Sequence, residues 1–482
     1  MRTEQRLYLA LDQGGHTSRA LVFDDNGQLV ATGSMPIDTL RNASGHVEHE
    51  PEALIASLNR AISIACKGLP AHGRIVAAGL ATQRSSMCCW QRRSGTALSP
   101  VISWQDRRNA AWLETLGTHA GMIRHRTGLV LTPHYGASKM RWCLDHLPAV
   151  QAAHAAGNLV MGPLASFICS RLLDNQPCLA DPANAARTQL WDPATRDWSA
   201  ELLRLFGIAR EDLPLPVTSR YTWGQLGTPS GAVPLTVVTG DQSAVPFAFG
   251  ALDPRTAYVN VGTGAFIQRA LRDRMPAAEQ LLVSVVWSDT ERVDYMLEGT
   301  VNGAGSALDW LAESEKLTLG ELLEAGQSAI AAGLEPPLFL NGIGGLGSPF
   351  WRSDFETRFA GTATPGTRLL AVLESIAFLL YTNYRELEAH GPRLTRLLLT
   401  GGLTANDYLC QCLADLCGMP VVRSDDPEAT ARGLARLVAA DDARDWPMPA
   451  TVTLTPAENP VLRSRFRRWQ ASMPSTGTAV AE

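Results

Sequence analysis

The residues best suited to chemistry lie in two glycine-rich turns between apolar runs. The first, LYLALDQGGHTSRALVF at residues 7–23, carries Asp12, Gly14 and Gly15 followed by a hydroxyl pair, and YVNVGTGAFI at residues 258–267 repeats the pattern. A glycine turn between buried strands exposes backbone N–H groups, so that an anionic oxygen such as that of a phosphate approaches closely. One such turn alone is more typical of a hairpin or a bulge. Two equivalent turns indicate a duplicated α/β fold that places them around one nucleotide.

Alternating strands and helices are predicted around these turns. Residues 51–65 place apolar side chains on one face behind Pro51, as in an amphipathic helix, and residues 73–82 form a continuous apolar run typical of a buried strand. Another such run, residues 234–241, ends at Asp241. This alternation predicts an α/β fold with parallel or mixed sheets, helices on both faces and functional residues at the strand ends.

The repeated turn also predicts how the chain divides into domains. It places a boundary near residue 247, with an N-terminal domain of residues 1–247 and a C-terminal domain of residues 248–482. A length of 482 residues with 45% hydrophobic side chains suits two cores better than one. The stretch after Asp445 is rich in Pro, Thr and Ser, and we expect its end to fray.

Charge and hydropathy argue against several classes of partner. The net charge of −5 disfavours nucleic acid or an anionic membrane surface as the main partner. The apolar run near the N-terminus is too short for a secretory signal, and the apolar segment around Glu374 is interrupted by that charge well short of a membrane span. We therefore expect a cytoplasmic protein that acts on a small molecule.

Several residues that invite a metal interpretation are better explained as structural. The nine cysteines are an odd number without a paired CxxC spacing, which indicates reduced and mostly buried thiols. Cys410, Cys412 and Cys417 fall on a predicted amphipathic helix, which disfavours a metal site. His46 and His49 are predicted to lie in a surface turn, and the charged residues of ISWQDRR are predicted to form a local ion-pair cluster.

Motifs along most of the chain resemble the FGGY family of carbohydrate kinases, and most of all the glycerol kinases within it. The matching pieces run from about Leu7 to about Val438 and are LDQGGHTSR, GHVEHEP, ATQRSS, ISWQDRR, TGLVLTP, ADPANAARTQLWD, TGDQ, NVGTGAF, LEGTVNGAGSALDWL, TGGLTAND and EATARG. The resemblance implies two actin-like (ribonuclease-H-like) domains, each a mixed sheet flanked by helices, that close over a cleft holding ATP and a small polyol or sugar. The acceptor and the catalytic Asp would belong to the N-terminal domain, and the nucleotide to the C-terminal domain.

The same resemblance implies roles for the strand-end carboxylates and the glycine turns. Asp241 would be the general base that deprotonates the acceptor hydroxyl, and Asp12 and Asp241 would hold Mg²⁺ beside the phosphates. The expected nucleotide-binding residues are Gly14, Thr17, Ser18 and Arg19 in the first turn, Gly262, Thr263 and Gly264 in the second, and Gly401, Gly402 and Asn406 in TGGLTAND. Two roles stay open for Asn406, which would contact adenine or cap the following helix.

The expected acceptor site departs from the glycerol kinase pattern at two positions. The residues that match those assigned to glycerol binding are Arg84, Trp104, Asp241, Gln242 and Phe266. Ser85 stands where the pattern has Glu, and His134 stands where it has Tyr, with Tyr135 one position later. Loss of the Glu removes a hydrogen-bond acceptor for substrate hydroxyls. A longer polyol or a ketose therefore becomes a candidate acceptor beside glycerol.

Two classes of function remain open on the sequence. The first is ATP-dependent phosphorylation of a hydroxyl of a small polyol or sugar, with a ketose kinase acting on xylulose or ribulose as its alternative. The second is a non-catalytic actin-fold nucleotide switch that binds a sugar or a partner protein. Asp241 favours the kinase, since a switch needs no base beside an acceptor. Domain closure is compatible with a homodimer, which no residue pattern decides.

Overall fold

The structure, a computed structural model, describes residues 4–273, 275–276, 279–424, 426 and 428–475. It contains two large mixed sheets flanked by helices, so the α/β architecture expected from the sequence is confirmed.

The N-terminal half supplies the first large sheet and a smaller five-stranded one. Its elements are β1 (Gln5–Gln13), β2 (Thr17–Asp24), β3 (Leu29–Pro36), β4 (Leu40–Arg41), β5 (Val47–His49), α1 (Pro51–Lys67), β6 (Gly73–Thr82), β7 (Met87–Gln91), β8 (Val101–Ile102), α2 (Ala110–Glu114), α3 (Ala120–Thr127), α4 (Gly136–His146), α5 (Pro148–Ala155), β9 (Leu159–Pro163), α6 (Leu164–Leu172), β10 (Leu179–Ala180), α7 (Pro182–Ala185), β11 (Trp191–Asp192), β12 (Asp197–Trp198), α8 (Ala200–Phe206), β13 (Leu215–Pro216), β14 (Arg220–Thr228), β15 (Gly231–Gly240) and α9 (Asp241–Ala244).

The C-terminal half supplies the second large sheet, of seven strands. Its elements are β16 (Thr256–Val261), β17 (Ala265–Arg272), β18 (Leu282–Ser288), β19 (Val293–Val301), α10 (Gly305–Glu315), α11 (Leu319–Ala331), β20 (Leu338–Leu340), β21 (Arg358–Ala360), α12 (Pro365–Glu388), β22 (Arg396–Thr400), α13 (Asp407–Cys417), β23 (Val421–Ser424), α14 (Ala429–Ala439), β24 (Thr451–Leu454) and α15 (Pro460–Ala471).

Five strands repeat one arrangement in both large sheets. In the first sheet the order is β3-β2-β1-β6-β15, with β1, β2 and β3 paired antiparallel and β1, β6 and β15 paired parallel. The second sheet repeats this order and these directions as β19-β17-β16-β22-β23. Each glycine turn joins the first two strands of its sheet. The predicted duplication is therefore confirmed.

Local sequence signals explain the elements that position the site. Pro51 occupies the first turn of α1, and the Glu50 carboxylate caps that helix by accepting from the N–H of Ala53 at 2.8 Å. The strand predicted for residues 73–82 is β6. Because β6 pairs in parallel with both β1 and β15, the carboxyl ends of all three strands meet at one edge of the sheet.

Helix α14 crosses from the C-terminal half to the N-terminal sheet. Its side chains Leu434 and Val438 pack with Tyr8 and Val237 of that sheet in one buried cluster. A Cβ at Gly79 of β6 would lie 2.6 Å from Cγ2 of Val438, so the close approach of helix and sheet requires glycine there. The layers of the N-terminal half are therefore completed by a segment that lies far beyond residue 247.

The stretch after Asp445 contains regular structure. It forms β24, which pairs with β23, and then α15, whose Trp469 is fully buried. The indole nitrogen of Trp469 donates to the carbonyl of Phe339 at 3.1 Å. Apolar residues at helical spacing therefore outweigh the Pro and Thr content of this part. The fraying was expected at the end of the stretch, residues 476–482, which lie outside the described residues.

The residues expected to be structural are mostly so. All nine cysteines are free thiols, and six of them are buried. Arg108 donates to Asp106 at 2.7 Å and to Glu48 at 2.5 Å, which confirms the ion-pair cluster for these residues. Arg107 instead donates to the Thr132 hydroxyl at 3.3 Å. His49 is not in a surface turn, because its ring is buried with Nδ1 3.0 Å from the carbonyl of Asp38. Within the described part of the chain, no helix combines the length and the hydropathy that a membrane crossing requires.

Candidate active site

Asp241 lies at the carboxyl edge of the N-terminal sheet. It is the first residue of α9, directly after β15, and its side chain is 25% exposed. Arg84 lies just beyond the neighbouring strand β6, and its Nε is 3.9 Å from Oδ1 of Asp241. A Cβ at Gly240 would lie 2.5 Å from Cγ of Arg84, so this glycine leaves the room that the guanidinium stem needs. The sheet thus brings together two residues predicted for the acceptor site.

Burial raises the pKa of Asp241 to about 6. The guanidinium of Arg84 and the backbone N–H of Gln242, which lies 2.6 Å from Oδ1, oppose this rise, whereas the nearby carboxylate of Asp12 adds to it. A carboxylate with a pKa near 6 is mostly ionised at neutral pH and takes up a proton more readily than an exposed aspartate. These are the properties that a general base requires.

A buried glutamate that sequence analysis did not assign completes this cluster. Glu298 on β19 accepts two bonds from Nη2 of Arg187, at 3.0 and 3.1 Å, and one from Nε2 of Gln268 at 2.7 Å. Nη2 of Arg84 is 3.6 Å from the same carboxylate. Burial by itself raises the pKa of Glu298, but Arg187 and Arg84 outweigh it and hold that pKa below its usual value. The available signal was one acidic residue inside the apolar run YMLEGTV.

Aromatic side chains line the acceptor side of the cluster. Trp104 is 38% exposed, and its ring centroid lies 5.7 Å from that of His134, which contacts the ring of Tyr135 edge-on at 4.9 Å. Burial, together with the charges of Lys139 and Arg187, lowers the pKa of His134 well below its usual value, so this imidazole is neutral at neutral pH. Three of the predicted acceptor residues therefore lie together.

Phe266 and Gln242 lie at the margin of this group. Phe266 is two positions before Gln268 on β17, so both side chains lie on the same face of the strand. Since Gln268 contacts Glu298 in the cleft, Phe266 faces the cleft as well. Gln242 contacts Asp241 through its main chain, and its side chain is partly exposed.

Ser85 adopts a conformation that is uncommon for a serine. Its φ is 66°, in the left-handed region, and the residue is 6% exposed. Among the described residues, Oγ of Ser85 and Nη1 of Arg84 have no hydrogen-bond partner although both atoms are buried. Unpartnered buried donors are costly, and substrate oxygens that accept hydrogen bonds would satisfy them.

The first glycine turn joins β1 to β2 beside Asp12. The N–H of Gly14 donates to the carbonyl of Thr17 at 3.0 Å, which closes the turn. The guanidinium of Arg19 pairs with Asp12 at 2.6 Å and with Glu428 at 2.7 Å, while its side chain keeps 29% exposure. Glu428 directly precedes α14, so the crossing helix also begins at this edge of the sheet.

Ser18 does not face this turn. It is fully buried, and its Oγ lies 2.8 Å from Oγ of Ser57 on α1. Because side chains alternate along a strand, Thr17 and Arg19 share one face of β2 and Ser18 lies on the other. The Ser18 hydroxyl is therefore directed away from the turn, and the predicted nucleotide contact of Ser18 would have to come from its main chain.

The second glycine turn rests on the start of α10. The N–H of Gly262 donates to the carbonyl of Gly264 at 2.9 Å and closes the turn. The carbonyls of Gly262 and Thr263 accept from the N–H groups of Gly305 and Ser306 at 2.9 and 3.0 Å. These bonds fix the turn against a helix N-terminus, where the backbone favours an anion.

The TGGLTAND loop packs against the end of β16. Gly401 has a φ of 98°, and a Cβ there would lie 2.6 Å from the carbonyl oxygen of Val261, so only glycine fits. A Cβ at the neighbouring Gly402 would meet nothing within 4 Å. Oδ1 of Asn406 accepts from the N–H of Leu409 at 3.0 Å and caps α13. Of the two roles expected for Asn406, capping is thus the one that the structure contains.

Asp12 and Asp241 fit a divalent cation placed between protein and phosphate. Burial raises the pKa of Asp12, against the opposing charge of Arg19, and Asp12 in turn raises the pKa of Asp241. Because Asp12 disfavours the ionisation of Asp241, a cation beside the two carboxylates would stabilise the ionised pair. Over the described residues no group of three or more metal-ligating side chains occurs, so phosphate oxygens and water would complete the coordination, as is common for Mg²⁺.

Comparison with known proteins defines the class of this protein. Residues 7–260 match the FGGY family of carbohydrate kinases, N-terminal domain, and residues 257–441 match the C-terminal domain of the same family. The chain therefore belongs to the FGGY family of carbohydrate kinases. It is an ATP-dependent phosphotransferase with an alcohol group as acceptor.

The chain is similar in sequence to bacterial proteins named glycerol kinase. That of Trichlorobacter lovleyi is 36% identical over 446 residues, which cover 89% of this chain and 88% of the relative. That of Citrifermentans bemidjiense is 34% identical over 446 residues, 89% of each chain.

Solved structures show the same fold. Plasmodium falciparum glycerol kinase with ADP superposes with a TM-score of 0.86 at 22% identity over 99% of each chain. Xylulose kinase from Rhodospirillum rubrum superposes with a TM-score of 0.85 at 21% identity, over 97% of this chain and 98% of that one. These two likenesses confirm the two-domain architecture that the sequence predicted.

Proposed function

We propose that the chain transfers the terminal phosphoryl group of ATP to a hydroxyl of a small polyol, with Asp241 as the general base. The observation that supports this role is the position of Asp241 beside Arg84 at the sheet edge, with a pKa that burial raises to about 6. Phosphoryl transfer to an alcohol needs a base at the hydroxyl, charge stabilisation around the phosphates and a site closed to water. Asp241 supplies the first of these.

The nucleotide is proposed to lie between the two glycine turns. Backbone N–H groups of the two turns, other than those of Gly14 and Gly262 that close them, would hold the phosphates together with the guanidinium of Arg19. Gly402 leaves open space beside the TGGLTAND loop, and the Nδ2 of Asn406 remains available to a base while Oδ1 caps α13. Asp12 and Asp241 would hold Mg²⁺, which when bound neutralises phosphate charge.

The acceptor is proposed to be glycerol or another small polyol, since the relatives described above are named glycerol kinases. A ketose is the second candidate, and one observation favours it. Nη1 of Arg84 is an unpartnered donor and Oγ of Ser85 can donate as well, so an oxygen that only accepts hydrogen bonds would be held by both. A ketose carbonyl has this property. It has no proton to donate, so it does not need the hydrogen-bond acceptor that the glutamate of the glycerol kinase pattern would supply at position 85.

The experiment that tests this proposal is ADP release by purified protein with Mg-ATP over a panel of acceptors. The panel contains glycerol, erythritol, pentitols, ketopentoses and ketoheptoses, and Asp241→Asn is run beside the wild type. We expect turnover on one acceptor class and a loss of roughly 10²–10⁴-fold in the variant, with ATP affinity within a few-fold. Retained turnover in Asp241→Asn would remove Asp241 from the role of base. Silence across the panel with intact ATP binding would favour the nucleotide switch.

We further propose that the enzyme acts in the cytoplasm, where ATP is available and its nine free thiols stay reduced. Its partner there is a small-molecule acceptor.

A further inference from the structure

The chain contains three lysines, Lys67, Lys139 and Lys316, and one of them is fully buried. Lys139 lies on α4, and its Nζ donates to the carbonyl of His134 at 2.7 Å and to the carbonyl of Ser85 at 3.3 Å. Among the residues that the structure describes, no carboxylate bonds to this ammonium. A buried charge held by two main-chain carbonyls is costly, so its presence calls for a function.

The two carbonyls belong to the two positions at which the acceptor site departs from the glycerol kinase pattern. Ser85 directly follows Arg84, the guanidinium beside Asp241, and His134 directly precedes Tyr135 and packs against Trp104. These positions lie in separate loops, one after β6 and the other before α4. A single ammonium therefore joins both loops underneath the acceptor residues.

We propose that Lys139 is a positioning residue that couples Ser85 to His134, so that the two positions set acceptor specificity together. This inference rests on the proposed acceptor site. Lys139 is 0% exposed and acts through the two carbonyls rather than on the substrate. Burial lowers the pKa of Lys139 to about 7, with Asp106 opposing the fall and Arg107 and Arg108 adding to it. The ammonium is therefore held by little besides these two hydrogen bonds, and a shift of either loop changes its surroundings.

The small number of lysines makes Lys139 accessible to NMR. Protein labelled with ¹³C at lysine Cε should give three signals, which Lys67→Arg and Lys316→Arg assign by difference. Addition of the best acceptor of the panel, without ATP, should shift the Lys139 signal and leave those of Lys67 and Lys316 in place. An unchanged Lys139 signal at saturating acceptor would overturn the proposal.

Kinetics of two substitutions separate positioning from general stability. Lys139→Met removes the donors, whereas Lys139→Gln keeps two N–H donors without the charge, and Lys67→Met is the matched control at the exposed end of α1. We expect Lys139→Met to raise KM for the acceptor about tenfold with KM for ATP within about twofold. Lys139→Gln should recover part of this loss. Equal increases of both KM values would mean a structural role only.

A double-mutant cycle tests the coupling directly. In the protein that retains Lys139, the double variant Ser85→Glu/His134→Tyr should have an acceptor KM that differs from the product of the two single effects by about threefold or more. In the Lys139→Met background the two effects should add. Additivity in both backgrounds would contradict the coupling, whereas a wild type without turnover on any acceptor would contradict the proposed function instead. If the Lys139 variants do not fold, the NMR signal of the unmutated residue decides.

Discussion

Arg84 and Glu298 come from opposite halves of the chain and meet in the cleft, where Nη2 of Arg84 lies 3.6 Å from Oε2 of Glu298. The same guanidinium faces Asp241, with Nε 3.9 Å from its carboxylate. The guanidinium of Arg84 therefore lies between Asp241, the proposed base at the edge of the N-terminal sheet, and Glu298 of the C-terminal sheet. The proposed acceptor site is complete only when both sheets are in place.

Substitution Glu298→Gln should lower the free energy of unfolding by about 3–5 kcal/mol, because it leaves the buried Arg187 without a carboxylate partner and Arg84 with Asp241 alone. Denaturation in urea measures this loss. Glu335→Gln is the control, since the Glu335–Arg468 pair is exposed and should contribute less than about 1 kcal/mol. Equal losses in the two variants would show that the buried cluster contributes no more than a surface pair.

Acceptor turnover should depend on the ionisation of Asp241. Because a general base works in its unprotonated form, kcat/KM for the acceptor should rise as the pH increases through the pKa of Asp241 and level off above it. This pKa is about 6 without metal, and Mg²⁺ beside the carboxylate lowers it. The measurement is a pH profile of ADP release at subsaturating acceptor. A profile that stays flat from neutrality down to about pH 4 would contradict this assignment.

The raised pKa of Asp241 should also make the free energy of unfolding depend on pH. The pKa of Asp241 lies above its ordinary value of 3.8, so the native state binds a proton more tightly than the unfolded chain. The carboxylate therefore costs stability above pH about 6, and this cost disappears as the pH falls below about 4. Asp241→Asn should raise the free energy of unfolding by on the order of 2 kcal/mol at neutral pH and leave it unchanged at acid pH. Denaturant titrations at the two pH values test this, and equal effects at both would argue against the raised pKa.

Substitution Ser85→Glu should raise activity on glycerol relative to larger polyols by about tenfold, because it restores a hydrogen-bond acceptor for substrate hydroxyls beside Arg84. The ratio of kcat/KM values for glycerol and the pentitols is the measurement. Ser85→Gln is the matched control, since it fills the same space without the charge. No change of the ratio in either variant would place acceptor specificity elsewhere.

Substitution Gly401→Ala should cost roughly 1–3 kcal/mol of stability and weaken ATP binding, because a Cβ at a φ of 98° would meet the carbonyl of Val261 at 2.6 Å. Gly402→Ala adds the same methyl group at the adjacent position, where no atom lies within 4 Å of it, and should change the free energy of unfolding by less than about 0.5 kcal/mol. Thermal unfolding and the KM for ATP are the measurements. Similar destabilisation in both variants would contradict the packing of this loop.

The sequence predicted the parts of the fold that depend on local signals. Residue type and hydrophobic periodicity predict the glycine turns, the helix behind Pro51 and the strand at residues 73–82. Each occurs where it was expected. The direction of the Ser18 side chain was not predicted, because it depends on which face of β2 meets α1. That choice is fixed by packing and by strand register rather than by residue type.

Contacts between residues that are far apart in the chain could not be predicted from the sequence. Glu298 lies more than 200 residues beyond Arg84 in the chain, and the pairing of β17 with β19 brings it close to Arg84. The crossing of α14 was likewise not predicted, since amphipathic spacing shows that a helix has an apolar face but not which sheet will cover it.

The position of α14 late in the chain affects how the N-terminal half folds during translation. The first sheet leaves the ribosome with one face bare, because the helix that covers Tyr8, Leu21 and Phe23 has not yet been synthesised. At ~5–20 residues per second, α14 follows the last strand of that sheet after roughly 10–40 s. We expect a fragment of residues 1–247 expressed alone to aggregate or bind an apolar dye, and a soluble, dye-free fragment would argue against this. Folding yield therefore depends on translation speed through the second half and on chaperones that shield the nascent first half.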